Sequence, residues 1–233
     1  MLDLRTLRDE EVIALVGEAK GWEREMLLDV LGFSQGEAGV AFLRSQLDQR
    51  RGGSSHLRAA VLRTLAQRVG AAAVPDLTAA LSGGTLESQL AALWALERVD
   101  EDGAAADAVI GWLAHRLRAP RRAGSWGYDE VSGVLRYAAR VHALPRLLDV
   151  VERNFDRLQL EERELLDQAW PPAKRCRFRR TEDDVDGPDA AAMEAWYQLS
   201  ATDLDDAQAL SSLIEGVAPV IERLRKRRQR TNR

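Results

Sequence analysis

The residues best equipped for chemistry in this 233-residue chain gather between Arg118 and Glu130, in the stretch RAPRRAGSWGYDE. Arg118, Arg121 and Arg122 can hold a carboxylate or a phosphate through planar, bidentate hydrogen bonds. Trp126 and Tyr128 can stack on a base or anchor a protein interface. Asp129 and Glu130 add two carboxylates, and Asp129 also suits the start of a following helix. The same residues serve equally as a plain turn, with Trp126 folded down onto neighbouring helices.

No other set of residues has the spacing of a catalytic or metal centre. His56, His115 and His142 are far apart and lack metal-ligand spacing, so neither a metal nor a cofactor is expected. The glycine-bearing segments GGTLES and GFSQGEAG lack the lysine of a phosphate loop, and GSWG is not the nucleophile elbow of a hydrolase. Glu97 follows Trp94 and Leu93 on the apolar side of a predicted helix, where burial calls for a partner; an arginine of an adjacent helix is the simplest one. Trp112 and Trp94 read as packing residues.

Composition narrows the partners. Hydrophobic residues make up 45% and charged residues 30%, enough for a buried core. The charge is uneven: Glu222–Arg233 holds seven basic residues and one acid, so the remainder of the chain carries a net −10. Such a body is a poor binder of polyanions, and nucleic acid enters only through the basic tail. No apolar run reaches the roughly 18 residues of a membrane span. The charged N-terminus lacks the apolar region of a secretory signal, and the single cysteine, Cys176, forbids an internal disulfide. A cytoplasmic setting follows as the expectation.

The elements that must position these residues are repetitive. VAFLRSQL, VPDLTAAL, VIGWLAHRL and LPRLLDVV begin at Val40, Val74, Val109 and Leu144, spacings of 34, 35 and 35. Each carries an apolar residue three places on: Leu43, Leu77, Trp112 and Leu147. That is one face of a helix. Pro75 and Pro145 share a position that suits a first helical turn. A second helical stretch follows each of the first three segments. These stretches end alike in Gln67-Arg68-Val69, Glu97-Arg98-Val99 and Ala139-Arg140-Val141. Ser54 or Ser55 and Thr85 can cap them, and Gly70 can stop the first. An earlier pair spans Asp9–Ala19 and Trp22–Leu31, parted by Gly21, and a fifth begins at Leu144 and stops at Pro171-Pro172. Against this period the opening stretch is an insertion between the two helices of the repeat that begins at Val109.

The repeat, most specifically AAAVPDLTAALSGGTLESQLAALWALERV, resembles the HEAT-repeat family of α-solenoids over about Asp9 to Trp170. The resemblance implies an all-α, right-handed α-solenoid of about five HEAT-like helix pairs whose second helices line a concave binding face. Expected domains are the solenoid at 1–170, a charged linker at 171–187, helices at 188–227 that cap the solenoid or dock a second chain, and a basic tail at 228–233. The last helix has an apolar seam of Leu210, Ile214, Val217, Ile221 and Leu224, with fraying expected from Leu224 onward.

The function expected from the resemblance is a non-enzymatic adaptor for a protein or peptide partner, regulatory or toxin-neutralising. Its groove residues would be Arg63, Gln67, Arg68, Glu97, Arg98, Arg136 and Arg140, with Arg121, Arg122, Trp126 and Tyr128 at the rim. Some HEAT-like proteins are DNA glycosylases that use tryptophans and a carboxylate. The alternative is therefore a DNA-acting enzyme or other DNA-binding repair protein with Trp126, Asp129 and Glu130 at its centre.

Overall fold

A computed structural model of the chain describes residues 3–48, 55–119, 127–159, 162–163 and 206–231. Among these residues the protein is all-α, with no strand; an isolated parallel bridge joins Arg8 to Gln35. The helices are α1 (Asp9–Glu18), α2 (Trp22–Leu31), α3 (Ala38–Asp48), α4 (Ser55–Val69), α5 (Val74–Leu81), α6 (Leu86–Val99), α7 (Ala106–Arg118), α8 (Gly127–Arg140), α9 (Leu144–Arg153) and α10 (Asp206–Thr231).

The boundaries have local causes. Thr85 caps α6, its carbonyl accepting from the Gln89 N–H at 3.0 Å and its hydroxyl lying 3.4 Å from the Ser88 N–H. Pro75 and Pro145 each stand second in their helices, where a missing N–H leaves no bond unmade. Gly70 closes α4 at φ +55°, and His142 takes the same left-handed conformation after α8. There the Ala143 N–H reaches back to the Ala138 carbonyl at 2.8 Å, the long bond of a Schellman turn.

The described chain divides into two compact units. The first comprises residues 1–73, the start of α6 through Ala91, and α10. In it α1 touches α2 and α3, while α4 touches α2 and α3. Its core includes Val12, Leu15, Leu27, Leu31, Leu43, Leu62 and Leu65, all buried. The predicted stripe residue Leu43 is therefore a core residue.

The hub of this unit is polar. Asp9, fully buried at the start of α1, accepts from the Ser34 hydroxyl at 2.6 Å and the Gly39 N–H at 2.7 Å. Arg68, from the end of α4, meets both Asp9 oxygens at 3.0 and 2.9 Å. Its guanidinium also donates to the carbonyls of Leu31 and Gly36, each at 2.6 Å, and to that of Ser34. An arginine at the end of one helix thus serves the open carbonyls that end another, α2.

α10 belongs to this unit too. Val217, Val220, Ile221 and Leu224 are buried, and the helix lies against α1 and α2. It continues to Thr231, past the point at which fraying was expected, because Arg225 and Arg228 meet Glu11 and Glu18 of α1. The predicted linker, the helix expected near 188–199 and the close of the fifth pair from residue 164 onward lie outside the described residues.

In the second unit α7 touches α5, α8 and α9, and α8 touches α9. Leu77, Trp112 and Leu147 are buried, as the repeat requires. Asp100 closes the turn before α7. Its carboxylate accepts from the Ala104 and Ala105 N–H groups at 2.9 and 2.8 Å and from the buried Tyr137 hydroxyl. Burial first, and then the Asp100 carboxylate, holds the Tyr137 phenol far above its ordinary pKa.

Candidate functional site

Where the structure places the expected site residues follows from which charges are already engaged. Arg63 and Gln67 belong to the first unit and are exposed. Arg63 lies 3.6 Å from Asp29, and Gln67 extends over Gly32. Arg68 is a correction: its side chain is 10% exposed and is spent on Asp9 and three carbonyls, so it is a structural clamp rather than an exposed groove residue. Arg98 and Arg140, at the same repeat position, are exposed in the second unit.

The structure brings together Glu97 and Arg136. The Arg136 Nε lies 3.0 and 3.1 Å from the two Glu97 oxygens, and its Nη1 donates to the Ser132 hydroxyl at 3.0 Å. This is the inter-helix pair that burial of Glu97 calls for, between α6 and α8. Both side chains are partly buried, so each charge is largely satisfied by the other before any partner arrives.

One turn earlier on α6 stands Trp94, whose ring is 38% exposed. It packs in part, as expected, but leaves more of its surface open than a core residue does. Across from it α8 carries Gly133, where an added Cβ would lie 3.4 Å from the Trp94 Nε1 and 2.8 Å from a Leu93 methyl. A side chain at 133 would therefore crowd the base of the ring. Gly133 precedes Arg136 by one turn, as Trp94 precedes Glu97, so ring and ion pair lie one above the other along the α6–α8 seam. An exposed indole beside a pre-formed ion pair offers a flat apolar contact with a fixed polar edge.

The first unit repeats the polar half of this arrangement. Asp29, near the end of α2, accepts from Thr64 at 3.4 Å and faces Arg63, both on α4. Burial raises the Asp29 pKa, and Arg63 and Thr64 only partly offset it. Counting back from Leu31, Val69, Val99 and Val141, Asp29 and Glu97 share one position, and Met26, Thr64, Trp94 and Arg136 share another. That alignment is the signal by which sequence alone could have found Trp94: it puts the ring where α4 and α8 carry the polar Thr64 and Arg136.

Of the opening stretch, Arg121, Arg122 and Trp126 lie outside the described residues, as do the side chains of Tyr128 and Asp129. Its two ends are described. Glu130 is 1% exposed and takes the Arg116 Nε and Nη2 on one oxygen at 2.9 and 2.6 Å. Arg118 ends α7, its carbonyl accepting from Arg157 at 3.2 Å. Glu130 is thereby tied to α7 across the base of the loop, a structural pair rather than a carboxylate open to substrate.

Among the described residues no three His, Cys, Asp or Glu side chains gather closely enough to hold a metal ion, and no helix is long and apolar enough to cross a membrane. Comparison of the chain with family models, with curated proteins and with solved structures gives no match.

Proposed function

We propose that the protein is a non-enzymatic binding module of the HEAT-like α-solenoid kind, which recognises a protein or peptide partner through the face formed by α6 and α8. The observation that carries this is Trp94: a large indole left exposed beside a satisfied ion pair, Glu97–Arg136, with Gly133 beneath it. Aromatic side chains ringed by pre-organised polar groups are where binding energy concentrates in protein interfaces. The solenoid architecture is supported by the 34–35-residue period and by the way alternate helices touch within each unit: α1 with α3 and α2 with α4, then α5 with α7 and α7 with α9. A setting in the cytoplasm and a regulatory or toxin-neutralising role belong to the same proposal, resting on the acidic body and its fit to basic partners.

The test is site-specific photocrosslinking. A photoreactive phenylalanine analogue in place of Trp94 should capture a discrete protein from native lysate, and the same probe at Trp22, exposed on the first unit, should not capture that protein. Capture that is identical at both positions, or absent at 94, would remove the support for this face. A base-release assay on damaged duplex DNA addresses the glycosylase alternative; loss of activity in Asp129→Asn with the fold intact would favour it.

A further inference from the structure

We propose that the α1–α2 face is a docking surface for a basic amphipathic helix of a protein partner, and that α10 is the chain's own occupant of that surface. The proposal is independent of the Trp94 face.

α10 is poorly made to stand as a helix by itself. Pro219 lies inside it and removes one backbone hydrogen bond. Gly216 lowers its propensity further, and six basic residues crowd into Arg223–Arg230. What holds it is the surface beneath. Val217, Val220, Ile221 and Leu224 form a buried row. Gly216 lets Met26 of α2 come close, since an added Cβ there would stand 2.7 Å from the Met26 methyl. Around this row three carboxylates receive three arginines: Glu23 takes Arg223, Glu11 takes the Arg225 Nε at 2.7 Å, and Glu18 takes the Arg228 Nε at 3.0 Å.

The chemistry of the surface therefore specifies its occupant. It asks for a helix with apolar residues one turn apart and, at the C-terminal end, cations two and five residues after a first cation. Glu11 and Glu18 stand two turns apart on α1, which matches an approaching helix and not an extended peptide. Ion pairs at half-exposed sites are worth little each and weaken with salt, so the contact is exchangeable. A partner helix of the same pattern competes with α10 and displaces it.

The experiment uses the full chain and, as probe, a fluorescent peptide with the sequence of Asp206–Thr231. Reversing the latch with Arg223→Glu, Arg225→Glu and Arg228→Glu together should free the surface, so the variant binds the peptide about tenfold more tightly than the unaltered chain does. Adding Glu11→Lys and Glu18→Lys to that variant should abolish the gain. Equal peptide binding by the unaltered and latch-reversed chains, both retaining their helical circular dichroism, would overturn the proposal. If the reversed chain fails to fold, the unaltered protein decides. Raising salt from about 50 mM to about 500 mM should speed hydrogen exchange at residues 217–224 while leaving α7 unchanged, and an α10 that shows no such salt response would refute it.

Discussion

Three arginines occupy one position of the repeat, Arg68, Arg98 and Arg140, and the structure gives them different fates. Arg68 is the perturbation of choice. Replacing it with alanine leaves Asp9 buried without its counter-charge and strips a donor from the Leu31, Ser34 and Gly36 carbonyls. Breaking a buried ion pair from one side costs about 3–5 kcal/mol. Asp9 retains the Ser34 hydroxyl and the Gly39 N–H, which limits the damage. Simple addition of one charged hydrogen bond per carbonyl would exceed that range. It overstates the loss, because the Arg68 side chain is 10% exposed and water can enter the space it vacates. We therefore expect about 3–5 kcal/mol for Arg68→Ala. Arg98→Ala and Arg140→Ala, both at exposed sites, should cost about 0.5 kcal/mol or less.

The assay is chemical denaturation followed by far-UV circular dichroism, with hydrogen exchange on α1 and α4 to place the loss in the first unit. Three indistinguishable curves would refute the clamp. So would an Arg68→Ala protein of normal stability.

Asp29→Asn should raise stability at neutral pH. Burial lifts the folded Asp29 pKa above its unfolded value, so its favourable contribution is complete only below the unfolded pKa and is lost as pH rises through the folded one. Urea titrations across pH should show the gain vanish in acid, and a variant that is weaker at pH 7 would contradict this. Tyr137→Phe removes a hydroxyl donated to Asp100 and should cost about 1–2 kcal/mol at neutral pH. Because the folded phenol is held above its ordinary value, its contribution is lost as pH rises past about 10; the alkaline fall in stability should be shallower in the variant. Leu77→Ala and Leu147→Ala empty equivalent, fully buried positions and should each cost roughly 2–5 kcal/mol; near-neutral melting shifts at both would put the repeat out of register.

Helices and repeat positions were legible because periodicity and caps are local. Leu43, Leu77, Trp112 and Leu147 are core residues as their spacing requires, and Gly70 and Thr85 mark the ends expected of them. The Glu97–Arg136 pair was legible in kind, since a carboxylate on an apolar face needs a cation. What escaped depends on contacts between distant segments. Nothing near Arg68 in sequence announces Asp9, which is 59 residues away and buried at the start of α1. The seam of α10 showed that the helix must be covered, but not that its arginines meet Glu11, Glu18 and Glu23 some two hundred residues earlier. The open part of Trp94 was not legible, because a tryptophan at the margin of an apolar stripe reads in sequence like one within it.

Binding through the α6–α8 face is decided by the dissociation constant of the partner captured at position 94. It should be measured for the unaltered chain, for Trp94→Ala and for Trp22→Ala. Trp94→Ala should weaken binding by about 2 kcal/mol, near thirtyfold, without a matching loss of stability. Trp22, the more exposed ring at 60%, serves as the control and should change little. Unchanged affinity in Trp94→Ala, or an equal loss at Trp22, would contradict the account.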